Sequence, residues 1–447
     1  MAKFSYIRLF IIIGALIACN LQIKAQAYRI KAKIKGANEM EAQLAYYQGD
    51  KPVLVQNGKF DKNAQLTFEG NEKLPTGIYF IVIGNLGYFD LLIRDEQQFS
   101  LQSDTAGLIN EMKVKVSADN EIFFDYQKKV LKLKTSIAEN QSNIKLYNEQ
   151  SDSVKLLKIE NEKLEDHLNT LVETTQKKYP GSYLAKILHA MSISDVDKFN
   201  FADEDLLRTP FFHNMVRLFI KKNIEKNSAF IKSQTRQLLD SVKSTQANFE
   251  YIATYLLNFY STFYKTGIND VFVFIADQYF LPDKAKWLSK EILSKINERR
   301  DFMAQSMPGM PAQDLKLEST TGEYFSLLQV ESPLTFLYFW SADCGHCTTS
   351  TNILKENYEA LSLKNVSIFA VNIDKDKDKW LKKIEETESP WLNCWDPEEV
   401  SGFRDKYYVY GTPLLYVIDA NKKIIAFKNG ETEIESLVNQ IIEKKGK

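Results

Sequence analysis

Two cysteines separated by two residues, Cys344-Gly345-His346-Cys347, are the part of this 447-residue chain best equipped for chemistry. A vicinal pair can cycle between dithiol and disulfide, and its attacking member must be a thiolate, so something must lower that thiol from its ordinary pKa of about 8.5. The flanking sequence supplies it. The apolar run Leu334-Thr335-Phe336-Leu337-Tyr338-Phe339-Trp340 reads as a buried strand, and the residues after Cys344 read as a helix to about Leu361. Cys344 therefore falls at a helix N-terminus, where unpaired N–H groups favour an anion. His346 adds a second stabiliser when protonated. Cys344 is then the exposed nucleophile, and Cys347, one turn in, is the sheltered thiol that resolves a mixed disulfide. Zinc is the main rival for such a pair, but it needs four ligands, and outside this four-residue motif the only other thiol or imidazole after residue 302 is Cys394. A structural bridge is the bland alternative, yet a ring this small removes almost no loop entropy and is readily reduced. No cofactor and no metal are implied, because the sulfurs themselves carry the electrons.

The elements that would position this pair can be read on either side of it. Met307-Pro308-Gly309-Met310-Pro311 is a linker into the last domain. Strand-like Asp314 to Leu317 and the turn Thr321-Gly322 precede the catalytic strand. Val366 to Ile373 follows as another apolar strand, Lys375 to Thr387 as a helix, Leu414 to Asp419 and Lys423 to Phe427 as a hairpin, and Glu433 to Lys444 as a closing helix. A β-α-β unit followed by a hairpin and a helix is an α/β order. Trp340 reads as packing under the active turn, and Cys394, in Trp391-Leu392-Asn393-Cys394-Trp395, as a buried small residue instead of a third redox thiol.

Phe339-Trp340-Ser341-Ala342-Asp343-Cys344-Gly345-His346-Cys347 resembles the active-site segment of thioredoxins, and Tyr410-Gly411-Thr412-Pro413 resembles the turn that this family holds as a cis peptide opposite the cysteines. A hydrophobic strand and Asp419 follow that turn, as the family pattern requires. The likeness covers about the last 140 residues, is nearest the envelope-facing branch, and implies a thiol-disulfide oxidoreductase with Cys344, His346, Cys347, Thr412 and Pro413 at its site. A cis proline has no N–H to face the sulfur and leaves the Thr412 backbone free to pair with an extended substrate strand. Two positions depart from the family. Tyr338 stands where thioredoxins bury an aspartate that relays a proton to the resolving cysteine, and Ser350 stands where envelope-type reductases place a glutamate. Deprotonation of Cys347 then needs another base or water. The Gly-His dipeptide is that of protein disulfide isomerases, which implies a potential nearer about −180 mV than about −270 mV.

The chain begins as an exported one would. Lys3 and Arg8 precede an apolar run from Leu9 to Cys19, too short to span a bilayer, and a polar stretch follows, so residues 1–27 read as a signal peptide. Ala25-Gln26-Ala27 fits ordinary cleavage, and Leu16-Ile17-Ala18-Cys19 resembles a lipoprotein box, which makes Cys19 a candidate lipid anchor. With so few cysteines left in the body, a disulfide scaffold is excluded. A formal charge of −1 offers no field to recruit nucleic acid.

The remaining chain reads as two further domains, making a multidomain protein: an N-terminal β-rich sandwich or open barrel, a central all-α region and the C-terminal α/β thioredoxin fold over 302–447. Residues 28–105 alternate apolar and polar, with Asn57-Gly58 as a hairpin turn. Residues 119–300 have helical period, as in Val130, Leu133, Ile137 and Ile144, with Tyr179-Pro180-Gly181 ending the second of two long helices. Further helices are expected over Phe211 to Lys222, Thr235 to Lys265, Ile268 to Phe280 and Lys284 to Arg300. His167, His189 and His213 have no i, i+4 partners and read as structural. The aromatic run Tyr251, Tyr255, Phe259, Tyr260, Phe263, Tyr264 fills a core or forms a partner groove, and the helical region is a candidate dimer surface. Expected partners are thiol- or disulfide-containing exported proteins and an upstream thiol electron donor or acceptor, in the periplasm-facing cell envelope, with the protein soluble or lipid-anchored. Competing readings are an envelope binding or scaffold protein whose last domain only positions a partner, and a redoxin-type peroxidase.

Overall fold

The computed structural model describes residues 27–147, 149, 151–262 and 269–443. All but the last residue of the expected leader, including Cys19, lies outside these, as do Phe263 and Tyr264. The described residues divide into two compact units, one running through Phe199 with Asp205–Asn214, the other comprising Asn200–Glu204 and Met215 onward.

The first unit opens with the strands β1 (Tyr28–Lys35), β2 (Glu41–Gln48), β3 (Lys51–Lys59), β4 (Gln65–Gly70), β5 (Gly77–Ile83), β6 (Gly87–Ile93), β7 (Gln98–Asp104) and β8 (Lys113–Lys115). They form two four-stranded sheets, ordered β4-β1-β7-β8 and β3-β2-β5-β6. Period-two alternation sends Ile30, Ala32 and Ile34 of one sheet and Leu44, Tyr79, Ile81, Phe89 and Leu91 of the other into one shared core, which makes the domain a sandwich. Asn57-Gly58 is not a turn. Both residues lie within β3, opposite Gln43 and Ala42, and the hairpin closes instead at Gly49-Asp50, where Gly49 takes a φ of +72°. A bulge at Leu44/Ala45 absorbs the odd residue, so the strand pairing outweighs the local turn preference.

Three helices follow, α1 (Ala118–Ile144), α2 (Asp152–Lys178) and α3 (Tyr183–Ser192), each started by a serine, Ser117, Ser151 or Ser182, whose hydroxyl accepts an N–H of the first turn. Helix α1 covers the edge of β6. The fully buried Asn120 accepts the Leu92 N–H at 2.8 Å and donates to the Leu92 carbonyl at 2.7 Å, so its amide substitutes for a missing neighbouring strand. Leaving those backbone groups buried and unpaired would cost about 1–3 kcal/mol each. Ile78 and Leu92, on the outer face of their sheet, pack with Phe123, Tyr183, Leu184 and Ile187.

Helix α4 (Pro210–Asn223) leads into α5 (Ser228–Ser241), α6 (Gln246–Thr262), α7 (Asn269–Ile275) and α8 (Lys290–Ala304). The single helix expected from Thr235 is broken in two, because Thr245 Oγ donates to the Val242 carbonyl at 2.9 Å and diverts it from helical pairing. The helix expected from Lys284 starts later, at Lys290, where the Ser289 side chain caps it by accepting the Ile292 N–H.

The last domain contains β9 (Lys316–Ser319), β10 (Tyr324–Ser326), β11 (Leu334–Trp340), α9 (Gly345–Glu356), α10 (Tyr358–Leu363), β12 (Val366–Asn372), α11 (Lys377–Thr387), β13 (Leu392–Trp395), α12 (Phe403–Tyr407), β14 (Leu414–Asp419), β15 (Ile424–Asn429) and α13 (Glu431–Glu443). Its sheet has the order β10-β9-β13-β12-β11-β14-β15, with β11 parallel to β12 and antiparallel to β14. Strand β13, which the pattern around Cys394 did not announce, runs parallel to β12. Both faces are covered. Phe336, Tyr338 and Trp340 point into a core with Cys347, Leu354, Ile434 and Val438, while Leu337 and Phe339 point into another with Phe403, Tyr407 and Tyr416. This is why β11 reads as a continuous apolar run. The Met307–Pro311 linker is tied down: Gly309 N–H donates to the Ile424 carbonyl at 2.7 Å, and Ile424 N–H to the Met310 carbonyl at 2.9 Å.

On the outer face of β6, Asp90 is mostly buried beside Phe80 and Tyr47, its Oδ1 has no hydrogen-bond partner among the described residues, and burial lifts its carboxyl to about 6. A carboxyl raised on folding destabilises the native state as pH climbs from the unfolded value of about 4, and the full penalty is present above about 6. Asp90→Asn is expected to stabilise the protein at pH 7, on the order of 2 kcal/mol, and to lose that gain at pH 4. Thermal melts of both chains at the two pH values check it; equal shifts at both would contradict the assignment.

Candidate active site

Strand β11 ends at Trp340 and the chain turns through Ser341, Ala342 and Asp343 before α9 begins. That turn is held from the side. Asp374, just past the end of β12, accepts the Ala342 N–H at 2.6 Å and the Asn372 amide at 3.1 Å, and its carbonyl accepts Trp395 Nε1 at 2.6 Å. Asp343 pairs with Lys379 of α11 at 2.9 Å. Neither carboxylate was singled out in the sequence, where each is one acid among 58 and only a fold can bring it to the turn.

Cys344 is the N-cap residue of α9, with extended backbone at φ −97°, ψ 113°. Its sulfur occupies the place of a capping oxygen and accepts the Cys347 N–H at 3.2 Å. Negative charge on that sulfur is met by the donors of a helix start. The same thiol lies 3.6 Å from the Thr412 carbonyl, to which it can donate while protonated. Cys344 is half-buried and Cys347 fully buried, both as free thiols.

Cys347 holds its proton firmly. Burial pushes the thiol up to about 12, and its hydrogen bond with Cys344 pushes in the same direction, against opposing hydrogen bonds from the Thr412 side chain and the Ser341 backbone. Tyr338 lies directly beneath: its hydroxyl is 3.1 Å from both the Cys347 carbonyl and Thr351 Oγ. Complete burial holds that phenol well above its ordinary range, so at neutral pH Tyr338 is a hydrogen-bonding prop and not a base. Ser350 is likewise buried. Cys394 sits in the core on β13, where burial raises its thiol to about 12.

The Thr412–Pro413 peptide is cis and faces the cysteines. The loop before it is braced by the preceding helix: Phe302 of α8 meets Tyr408 and Tyr410 with ring centroids 5.3 Å and 6.4 Å apart, and Arg299 donates to Tyr408 Oη at 3.3 Å. After it, Gly430, at a φ of +87°, donates its N–H to the Pro413 carbonyl at 3.1 Å, which brings the start of α13 to the site. His346 is there. Its Nδ1 is 2.9 Å from Glu431 Oε2, and the imidazole is largely exposed. An open cleft of ≈780 Å³ runs along these groups, its lining including His346, Tyr410, Thr412, Pro413, Glu431 and Thr262, the last residue of α6. The five residues singled out in the sequence, Cys344, His346, Cys347, Thr412 and Pro413, are thus gathered at one place. Glu431 was missed, because the sequence signal is only a turn, Asn429-Gly430, before a helix. Among the described residues no cluster of three or more His, Cys, Asp or Glu could hold a metal ion.

Residues 333–424 match the family described as thioredoxin-like. Among solved structures, the thioredoxin domain of a thiol-disulfide oxidoreductase from Bacteroides vulgatus is 25% identical, over 31% of this chain and 99% of that one, with a TM-score of 0.29. A thiol:disulfide interchange protein from a Bacteroides species is 26% identical over 31% and 90% of the two chains, with a TM-score of 0.29. A thioredoxin-like protein from Bacteroides caccae is 16% identical over 56% and 90%, with a TM-score of 0.43. No curated protein matches the chain.

The contrast between the two sulfurs has a direct readout. When the reduced protein is treated with limiting iodoacetamide at pH 8, Cys344 is expected to be carboxamidomethylated at least tenfold faster than Cys347 and Cys394, which are buried and remain protonated far above that pH. Peptide mapping over time gives the rates, and equal labelling of the three thiols would refute the geometry.

Proposed function

We propose that this chain, thioredoxin-like over residues 333–424, is a thiol-disulfide oxidoreductase of the bacterial cell envelope that exchanges disulfides with cysteines of exported polypeptides. The observation that carries this reading is the sulfur pair: a half-exposed Cys344 Sγ that caps α9, and a buried Cys347 thiol one turn below it whose own N–H reaches that sulfur.

The chemistry follows from that arrangement. Cys344, as thiolate, attacks one sulfur of a substrate disulfide. A bond forms between Cys344 and the substrate, the substrate's S–S bond breaks, and the departing sulfur keeps the electron pair. Two of the influences that hold the Cys347 proton, the hydrogen bond with Cys344 and the charge of that thiolate, are lost in the mixed disulfide, which leaves burial opposed by Thr412 and Ser341. Cys347 then gives up its proton to water or to the departed thiolate and attacks Cys344. The Cys344–Cys347 disulfide closes and the second substrate thiol leaves. Two electrons have passed to the substrate, and the reverse sequence oxidises a substrate dithiol. The Thr412 backbone, exposed by the cis proline, offers a hydrogen-bonding edge to extended substrate chain lying in the cleft.

The export-type leader supports an envelope location, either free or anchored through Cys19. Among the described residues no helix is long and apolar enough to cross a membrane. In this reading an upstream thiol donor or acceptor resets the pair, and the sandwich and helices bind, dimerise or anchor.

A trap tests the reading. Full-length Cys347→Ser, expressed with its leader, is expected to accumulate mixed disulfides between Cys344 and envelope proteins that dithiothreitol releases, whereas Cys344→Ser is expected to accumulate none. Equal capture by the two variants in non-reducing gels and mass spectrometry would defeat the proposal.

A further inference from the structure

The dipeptide between the cysteines makes His346 look like a cation placed to favour the Cys344 thiolate. In the folded protein its Nδ1 is instead engaged by a carboxylate contributed from 85 residues further along the chain, Glu431 at 2.9 Å. Glu431 is half-buried and His346 largely exposed, so the carboxylate is the better anchored partner of the two. Its place is set by the backbone. Gly430 N–H is bonded to the Pro413 carbonyl at 3.1 Å, the Ile434 N–H to the Gly430 carbonyl at 3.2 Å, and the Thr412 carbonyl lies 3.6 Å from Cys344 Sγ. Through these contacts His346, Glu431, Gly430, Pro413 and Thr412 are linked in a circuit that returns to the attacking sulfur of Cys344.

We infer that Glu431 is a positioning residue that holds His346 and offsets its charge, so that the redox pair works at a lower potential than its Gly-His dipeptide alone would set. This rests on the oxidoreductase reading above. The argument is one of net charge. An imidazolium alone brings +1 to the site and a neutral imidazole brings zero; paired with an ionised carboxylate, the same two states bring zero and −1. In either state Glu431 makes the surroundings of Cys344 more negative, and negative charge beside a thiolate disfavours the reduced form. The other charged groups of this region do not offset it: Asp343 is already matched by Lys379, and Glu433, on the wall of the same cleft, is a second acid.

Full-length protein equilibrated at pH 7 in glutathione buffers, with the dithiol fraction read by thiol labelling, gives the potential. Here the dithiol and oxidised glutathione yield the Cys344–Cys347 disulfide and two reduced glutathione molecules, so the electrons balance. Glu431→Gln retains an acceptor for His346 but loses the charge, and is expected to shift the equilibrium about tenfold toward the dithiol, ~30 mV in the oxidising direction for a two-electron couple. Glu431→Asp is expected to stay near the wild-type potential. An unchanged or lowered potential in Glu431→Gln overturns the inference, including the case where only its melting temperature moves. If the wild-type chain forms no reversible disulfide in these buffers, the oxidoreductase reading itself fails, which is a separate result.

Discussion

A sulfur standing in for a capping oxygen is the contact around which the thioredoxin-like end of this protein is arranged. For Cys344 Sγ to accept the Cys347 N–H, the chain must leave β11 extended, turn within three residues, and enter α9 with both cysteines on its first turn. Each neighbouring element then has a task. Strand β11, buried on both faces, fixes where the turn starts; Asp374 holds the turn; Tyr338 and Thr351 fill the space below Cys347; the cis-proline loop closes the site from above. The asymmetry between the two thiols needs no special acid or base. It comes from depth, since one sulfur lies at the surface end of a helix and the other a turn further into an apolar core.

Much of this was legible in the residues. The run from Leu334 to Trp340 has no polar interruption apart from Thr335, as a strand covered on both sides requires, and a CxxC directly after it leaves little choice of where a helix begins. Thr412-Pro413 could be recognised through the resemblance of Tyr410-Gly411-Thr412-Pro413 to the thioredoxin turn, a short motif that needs no distant partner to be read. What escaped was what depends on partners. Asp374 and Glu431 are ordinary surface-type acids until the sheet and the last helix bring them within hydrogen-bond reach of the turn and of His346. Asn57-Gly58 misled in the opposite sense: a dipeptide with a strong local preference was overruled by eight cross-strand pairs along β2 and β3. The break in the long helical tract at Val242–Thr245 is of the same kind, because a threonine hydroxyl that bonds the carbonyl three residues back is invisible to hydrophobic period.

The two upstream parts solve a different physical problem. A four-stranded sheet has two edges and two faces, and β6 would offer both an open edge and an apolar outer face. Helix α1 covers the edge through Asn120 and, with α3, the face through Phe123 and Leu184. The first helices of the chain are therefore structural partners of the sandwich, and the boundary expected between a β domain and an all-α domain is crossed by a continuous core.

The stretch from Met307 to Pro311, which composition marks as a flexible connector, has a further consequence through its bonds to β15. Strand β15 ends the seven-stranded sheet, and an uncovered end strand is a template on which another polypeptide can add itself. Gly309 and Met310 take up the Ile424 backbone groups, and the Ala312 N–H donates to the Lys422 carbonyl at 2.8 Å, so the connector guards the start of that edge, at Ile424, against unwanted strand addition. A chain cut just after this segment would keep both cysteines and lose that guard, trading a self-contained surface for one disposed to aggregate.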